Sequence, residues 1–176
     1  MALMKKKGYG QVEIQDIIAS VTGELASQVK VSKELSTAIS GIVEQGMFFN
    51  INSKGEYVTG DGSNDEPTYF IYNERRLYNP YDLEKDFAMK ATDHIDGVLY
   101  PRGYFPHVGD CFTTNLIDLG EKSAYTDLEV GDTLIVKNNK LTVGAAAGAK
   151  LVYRVDKVYT MPDEQPGVMV TCIKAK

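Results

Sequence analysis

Tryptophan is absent from this chain of 176 residues, and cysteine occurs only twice, at Cys111 and Cys172. Two cysteines so far apart, with no C-x-x-C spacing, indicate neither a disulfide framework nor a zinc ribbon, and we expect two buried thiols. No apolar run approaches the roughly 20 residues that a helix needs to cross a bilayer. The first lysines are followed by Gly8-Tyr9-Gly10 and not by the apolar core of a signal peptide. These absences predict a protein that is made and kept soluble, with no membrane partner.

Positive charge is also scarce, because 19 Lys and Arg residues face 24 Asp and Glu residues, for a net charge of -5. Such a surface repels a phosphate backbone, and we predict no nucleic-acid partner. The only tight basic run is Lys5-Lys6-Lys7, which Tyr9 follows closely. A glycine-flanked basic arm extends about 3.3 Å per residue and could dock on an acidic neighbour, whereas the alternative is a frayed, solvated terminus. We take Lys5, Lys6, Lys7 and Tyr9 as candidate interface residues.

Tyrosine and phenylalanine are plentiful, at 11 and 6 residues, and many of them stand beside β-branched residues. Aromatic residues next to β-branched residues are typical of β-sheet surfaces. We therefore predict a mainly β fold with an N-terminal helical or extended segment, of the α+β class, in which hairpins build an antiparallel β-barrel or sandwich. The expected division is an N-terminal arm and helical segment over residues 1–45 and a β domain over residues 46–176.

The N-terminal segment shows apolar residues at helical spacing. They are Ile14, Ile17, Ile18, Val21, Leu25 and Val29. This i, i+3/i+4 pattern predicts an amphipathic helix. Ser32 is a suitable N-cap for a second helix, with apolar residues on one face as far as Val43 and an end at Gly46. Strands could replace part of this segment, since residues 29–31 also alternate.

Two hairpins follow the same pattern. In each, a glycine (Gly46 or Gly131) precedes an apolar strand, a polar turn and a second strand. The strands are residues 47–51 with 56–58, and residues 133–136 with 141–143, and each hairpin precedes an aromatic strand at 68–72 or 151–153. We expect two related units, around residues 46–73 and 129–173.

Residues 128–136 and 140–143, followed by a terminal strand after Pro166-Gly167, resemble the small β-barrel domains of tailed-phage capsid decoration (cement) proteins. The shared features are a G-D-x-hydrophobic strand, a turn, a K-L-T strand and a small-residue loop. The resemblance covers the C-terminal part of the chain and is echoed around residues 46–58. It implies a virion protein made in the host cytoplasm that binds the major capsid protein on the outer capsid surface, often as a homo-oligomer, and stabilises the shell. It brings no catalytic residues, and we predict no enzyme and no cofactor.

Two alternatives belong to other functional classes. The first is a carbohydrate- or peptide-binding β module with an exposed stacking surface of tyrosines. These are Tyr69, Tyr72, Tyr78, Tyr81, Tyr100 and Tyr104. The second is an enzyme whose noncontiguous site includes His94 or His107.

Three local motifs partly resemble known metal- or phosphate-binding sequences but do not match them. Asp93-His94-Ile95-Asp96 lacks a second histidine at metal-ligand spacing and is interpreted as a surface cluster. Residues 61–66 begin like a calcium loop, but Glu66 and Tyr72 stand where such a loop needs Gly and Glu. Residues 144–150 do not have the spacing of a phosphate-binding loop. We therefore predict no metal, catalytic or cofactor-binding residues.

Overall fold

The computed structural model describes residues 3–6, 8–73, 87–161 and 164–175, and the following account concerns these residues. The described helices are α1 (Ile18–Thr22) and α2 (Lys33–Ala38), with 3-10 turns at Ala91–Asp93 and Tyr125–Asp127. The described strands are β1 (Val12–Asp16), β2 (Leu25–Ala26), β3 (Ile42–Glu44), β4 (Phe48–Ile51), β5 (Tyr57–Thr59), β6 (Thr68–Ile71), β7 (Ala88–Lys90), β8 (Gly103–Tyr104), β9 (Cys111–Thr114), β10 (Ile117–Asp118), β11 (Thr133–Lys137), β12 (Lys140–Val143), β13 (Val152–Thr160) and β14 (Pro166–Lys174). The predicted mainly β class is confirmed.

The larger sheet has seven strands in the order β1-β9-β14-β13-β11-β12-β10, antiparallel except for the parallel pair β10 and β12. The smaller sheet has five strands in the order β2-β8-β6-β4-β5, and β3 pairs with β7. Only Asn115 and Leu116 separate β9 from β10, although these strands lie near opposite ends of the large sheet. That sheet is therefore strongly curled, but no pairing of described strands closes it into a barrel. Of the two predicted architectures, the arrangement is sandwich-like.

The five-stranded sheet is buried on both faces. Successive side chains of a strand point to opposite faces, and on β4 the ring of Phe48 enters one core while that of Phe49 enters the other. The inner core lies between the two sheets and includes Phe112 and Tyr153 of the large sheet. The outer core lies beneath α2 and includes Leu35. This double burial explains the almost unbroken apolar run of β4.

The long N-terminal helix predicted from the stripe at residues 14–29 is wrong. The chain forms β1, the five-residue α1 and the two-residue β2 over this stretch. Ile14 lies opposite Phe112 in the large sheet, and β-branched residues suit that environment better than a helix. Helix α1 ends at Gly23, whose φ of 79° is left-handed. No helix among the described residues has the length and apolar character needed to cross a membrane.

The second predicted helix is partly confirmed. Ser32 caps α2, and its hydroxyl accepts the backbone N–H of Leu35 at 3.2 Å. The helix ends at Ala38 and does not continue to Gly46, because Ile42–Glu44 forms β3 and pairs with β7. The predicted apolar face over residues 38–43 is therefore divided between a helix end and a strand.

Both predicted hairpins are confirmed, as β4 with β5 and as β11 with β12. Gly46 and Gly131 precede them with φ values of 85° and 99°, a region that favours glycine. The second hairpin turns at Asn138 and Asn139, both with positive φ, which is the backbone of a type I′ turn. We call residues 46–73 the first hairpin unit and residues 129–173 the second.

The turn of the second hairpin is bonded to the first unit through Asn139. The Asn139 side-chain oxygen accepts the Gly60 N–H at 2.7 Å. The Asn139 N–H donates to the Gly60 carbonyl at 3.1 Å, and its carbonyl accepts the Phe48 N–H at 2.9 Å. This three-bond contact, the Asn139 clasp, fixes the two units against each other at one end of the inner core.

Residues before Gly46 contribute to both cores. Met4, Ile17 and Ala19 are buried in the inner core, whereas Val31 and Leu35 are buried in the outer one. The N-terminal segment thus packs on the sheets of its own chain.

Candidate interaction surface at the Asp110 junction

The predicted interface residues that the structure describes, Lys5, Lys6 and Tyr9, contact other residues of their own chain. Lys5 Nζ is 2.5 Å from the Glu44 carboxylate, which also accepts the Gly10 N–H at 2.6 Å. The Lys6 ammonium lies 4.7 Å from the centroid of the Tyr125 ring. The acidic neighbour of Lys5 is therefore intramolecular.

Tyr9 has a comparable contact, since the Lys90 ammonium lies 5.2 Å from the centroid of its ring. Lys7 is outside the described residues. The role of these four side chains in binding a partner stays a prediction.

A more elaborate arrangement surrounds Asp110, which lies between His107 and β9. One carboxylate oxygen of Asp110 accepts the N–H of Ile18, at the start of α1, at 2.8 Å. The other accepts the N–H of His107 at 2.8 Å. The Asp110 carbonyl accepts the Cys172 N–H of β14 at 2.8 Å. We call this meeting of α1, residues 105–110 and β14 the Asp110 junction.

The Asp110 carboxyl is buried, with 3% of its surface exposed. This burial raises its pKa above the ordinary value, although the N–H groups of His107 and Ile18 act in the opposite direction. A buried carboxylate that accepts two backbone N–H groups holds its neighbours firmly, because removing it would leave donors unsatisfied. The junction is therefore a rigid support for what lies on its surface.

Next to the junction, the imidazole Nε2 of His107 is in hydrogen-bond contact with the Glu24 carboxylate. Thr22 Oγ1 lies 3.0 Å from the same carboxylate. The His107 ring packs edge-on against Phe105, with 5.7 Å between centroids. A carboxylate that orients an imidazole is one component of general-base chemistry, but the described hydroxyl contacts the carboxylate and not the imidazole.

Large aliphatic side chains are exposed on the segments that meet at this junction and on the adjoining strand β2, since the Phe105 N–H donates to the Glu24 carbonyl at 3.0 Å. They are Val21 (86% exposed), Val108 (59%), Ile173 (41%) and Leu25 (38%). Val108 and Ile173 are adjacent because Gly109 donates to the Cys172 carbonyl at 2.9 Å, and Leu25 lies opposite Tyr104 in the small sheet. We call these four residues the aliphatic patch. The segments that carry these four residues are joined by hydrogen bonds, and neighbouring exposed apolar groups are typical of protein interaction sites.

The tyrosines of the stacking-surface hypothesis have different environments. Tyr100 is exposed, Tyr69 and Tyr72 are half-buried, and Tyr104 is buried. The Tyr72 and Tyr104 rings lie 6.4 Å apart between centroids. The burial of Tyr104 corrects the expectation that all six tyrosines are exposed. Tyr78 and Tyr81 are outside the described residues, and a binding role for the other tyrosines stays a prediction.

The three local motifs at residues 93–96, 61–66 and 144–150 lie in surface segments. His94 is exposed, and the neighbouring Asp96 accepts the Val98 N–H at 3.1 Å. Asp61 accepts the Ser63 N–H at 2.9 Å, as the first residue of a polar loop. Gly144 donates to the Thr133 carbonyl at 3.1 Å. In the part of the chain that the structure describes, no group of three His, Cys, Asp or Glu side chains could hold a metal ion.

The two cysteines differ in burial. Cys172 is buried, as predicted, whereas Cys111 is half-buried, which corrects the expectation for that residue. Both are free thiols. Burial raises the pKa of the Cys172 thiol to about 12.

Sequence reasoning missed the junction. In the sequence His107 stands without a neighbouring partner, because Glu24 is 83 positions away. Val21 and Leu25 belong to the apolar pattern that predicts an amphipathic helix, and nothing in that pattern indicates that they are exposed. No protein-family model, curated protein or solved structure matches this chain.

Proposed function

We propose that this chain is a non-enzymatic structural protein of a virion that binds the outer surface of a tailed-phage capsid and stabilises the shell. The observation that carries the proposal is the aliphatic patch on the Asp110 junction. Its partner would be the major capsid protein, and the chain would act as a homo-oligomer on the shell.

The patch has the physical properties of a docking surface. Full burial of one aliphatic side chain contributes about 1.5 to 3 kcal/mol before association costs. Because α1, residues 105–110 and β14 are already held by hydrogen bonds, little ordering would accompany binding. Contacts of modest strength, repeated over many copies, would reinforce a shell.

The residues that resemble decoration proteins support the same proposal. Residues 133–143 form the β11–β12 hairpin, and the C-terminal strand β14 pairs with β13 over nearly its whole length. The small-residue segment at residues 144–149 follows the hairpin, as the resemblance implies.

The direct test is co-purification with particles. Virions purified on a density gradient are digested and analysed by mass spectrometry, and the chain is expected at a fixed ratio to the major capsid protein. Particles that contain the major capsid protein but lack this chain would overturn the proposal.

A second experiment addresses the patch. Val21→Asp and Val108→Asp are each expected to weaken binding of the purified chain to undecorated shells by about tenfold or more, because a charge would have to be desolvated. Val130→Asp is the matched control, since Val130 is 70% exposed but lies on the turn before β11. Equal binding by all three variants would remove the patch from the proposal.

A further inference from the structure

A cleft of about 280 Å³ opens between the polar loop at residues 61–67 and the segment Phe105-Pro106. Apolar groups from Pro67, Phe105, Pro106, Leu151 and Ala175 line it. The polar groups at its wall belong to the loop and to one neighbouring lysine. They are Asn64, Asp65, Glu66, Thr68 and Lys150. An apolar floor with a few convergent polar groups is the usual composition of a small-molecule site.

The loop that forms one wall is fixed before any ligand binds, and Asn50, which is fully buried, holds it from below. The Asn50 amide nitrogen donates to Asn64 Oδ1 at 2.6 Å, and its oxygen accepts the Asp61 N–H at 3.1 Å and the Thr68 hydroxyl at 3.0 Å. Gly62 is bonded to the large sheet, because its N–H donates to the Val136 carbonyl of β11 at 3.0 Å, and its own carbonyl accepts the Lys150 N–H at 2.8 Å. The wall is therefore preorganised, which lowers the entropic cost of binding.

The charges in the cleft limit the type of ligand. The Lys150 ammonium is in contact with the Asp65 carboxylate, so this pair is internally neutralised. Glu66 has no hydrogen bond or ion pair with another described residue and is exposed at the cleft. A free carboxylate accepts hydroxyl hydrogen bonds and repels an anionic ligand.

Phe105 supplies the apolar surface. Its ring packs edge-on against Tyr69 at 5.7 Å and against His107 at 5.7 Å, so its position is fixed. A fixed aromatic ring suits the C–H face of a sugar ring, while planar amide and carboxylate groups suit its hydroxyls. The volume is at the small end of ligand sites, which indicates one ring and not a long chain.

From this arrangement we propose that the cleft is a binding site for a neutral monosaccharide unit, with Phe105 as the stacking surface and Glu66 and Asn64 as the hydroxyl-binding groups. This site lies beyond the shell-binding proposal. It is tested on the isolated chain, so its failure would leave that proposal untouched.

The test is a titration of the ¹⁵N-labelled chain with glucose, galactose and N-acetylglucosamine, followed by amide chemical shifts. At least one sugar is expected to bind with a dissociation constant on the order of 1 mM, as befits a single ring in a small cleft. The shifts should be confined to residues 62–68, 105–106 and 150–151. Glucuronic acid is expected to bind more weakly, because Glu66 repels its carboxylate.

Glu66→Gln is expected to weaken binding of the best sugar by about tenfold. Its side chain is exposed, so the fold should be retained, and the control is Glu121→Gln, another exposed glutamate outside the cleft. Phe105→Leu should reduce binding comparably through loss of the ring. The proposal is overturned if no sugar shifts the cleft residues, if the shifts lie elsewhere, or if Glu121→Gln weakens binding as much as Glu66→Gln.

Discussion

The two hairpin units share a strand order but differ in what covers them. In each, the first hairpin strand lies between its partner and the next strand of the unit, as β5-β4-β6 and as β12-β11-β13. One further antiparallel strand follows, β8 in the first case and β14 in the second. Similar local sequence therefore produced similar pairing.

The two units differ in how many faces of their strands are buried. β4 is buried on both sides, whereas β11 alternates between buried Leu134 and Val136 and partly exposed residues. In the second unit, longer strands offset the smaller number of buried faces. Strands β13 and β14 have nine residues each, whereas the strands of the first unit have three or four. Short strands are stable here because a core lies on each face, and longer strands are stable with one core because they make more ladder hydrogen bonds.

The largest expected effect comes from the two faces of β4. Phe48→Ala and Phe49→Ala should each lower the free energy of unfolding by about 3 to 5 kcal/mol, because each leaves a cavity in a separate core. Ile135→Ala, on the less buried face of β11, should cost only about 1 to 2 kcal/mol. Urea denaturation measures all three. If Phe49→Ala were as mild as Ile135→Ala, the layer under α2 would not be a true core.

The Asn139 clasp distinguishes the two turns. Asn139→Ala should cost about 2 to 3 kcal/mol, because it strains a left-handed residue and leaves the buried Gly60 N–H without an acceptor. Asn138→Ala is the matched control, because Asn138 also has a positive φ but is exposed, and it should cost only about 1 kcal/mol.

In the first hairpin, Asn52 accepts the Lys54 and Glu56 N–H groups within its own turn. Asn52→Ala should cost about 0.5 to 1 kcal/mol, since water can replace those bonds. Thermal unfolding of these three asparagine variants, compared under one condition, checks the ranking. Equal effects at Asn138 and Asn139 would mean that the clasp does not stabilise the contact between units.

Local chemistry was sufficient to predict both hairpins and the N-cap of α2. The turn residues Asn138 and Asn139, the glycines before each unit and the hydroxyl of Ser32 determine backbone geometry within a few positions. The same local pattern failed at residues 14–29. Ile14 belongs to a strand because of its partner Phe112, and that partner is distant in sequence.

The Asp110 junction could not be predicted for the same reason. It joins Ile18, His107 and Cys172, which are spread along the chain, and no spacing rule connects them. Val21 and Leu25 fitted a helical stripe that would be buried, yet they are exposed beside this junction. Apolar periodicity indicates which residues share a face, but only tertiary packing decides whether that face is covered.

In the second unit, the Cys172 N–H of β14 donates to the backbone carbonyl of Asp110, whose carboxyl is buried, whereas the acidic side chains of the first unit are all at least partly exposed. Asp110→Asn should cost about 1 to 2 kcal/mol, because one of two N–H donors loses its acceptor. Since the pKa of Asp110 is raised in the folded state, the native chain binds a proton where the unfolded chain has released it. The stability contributed by this group therefore increases as the pH falls through the folded-state pKa.

Asn cannot titrate, and the gap in stability between wild type and Asp110→Asn should thus widen between about pH 7 and about pH 4. Urea denaturation at intervals across this range measures the gap. A gap that narrows with acidification would show that the carboxyl is not held in the environment described.

The smallest expected effect is a difference close to zero between the free energies at which the two units open. Cys172 reports on the second unit, because burial raises the pKa of its thiol to about 12 and a protonated thiol is a poor nucleophile. In a Cys111→Ser background, a disulfide reagent should label Cys172 only through global unfolding. Ile71→Cys, with both native cysteines replaced by Ser, reports in the same way on the first unit.

Because the inner core and the Asn139 clasp join the units, the opening free energy from each reporter should equal the global unfolding free energy of the same variant. A lower opening free energy for Ile71→Cys alone would show that the first unit opens by itself. Two cores around short strands would then stabilise a unit less than one core beneath long strands does.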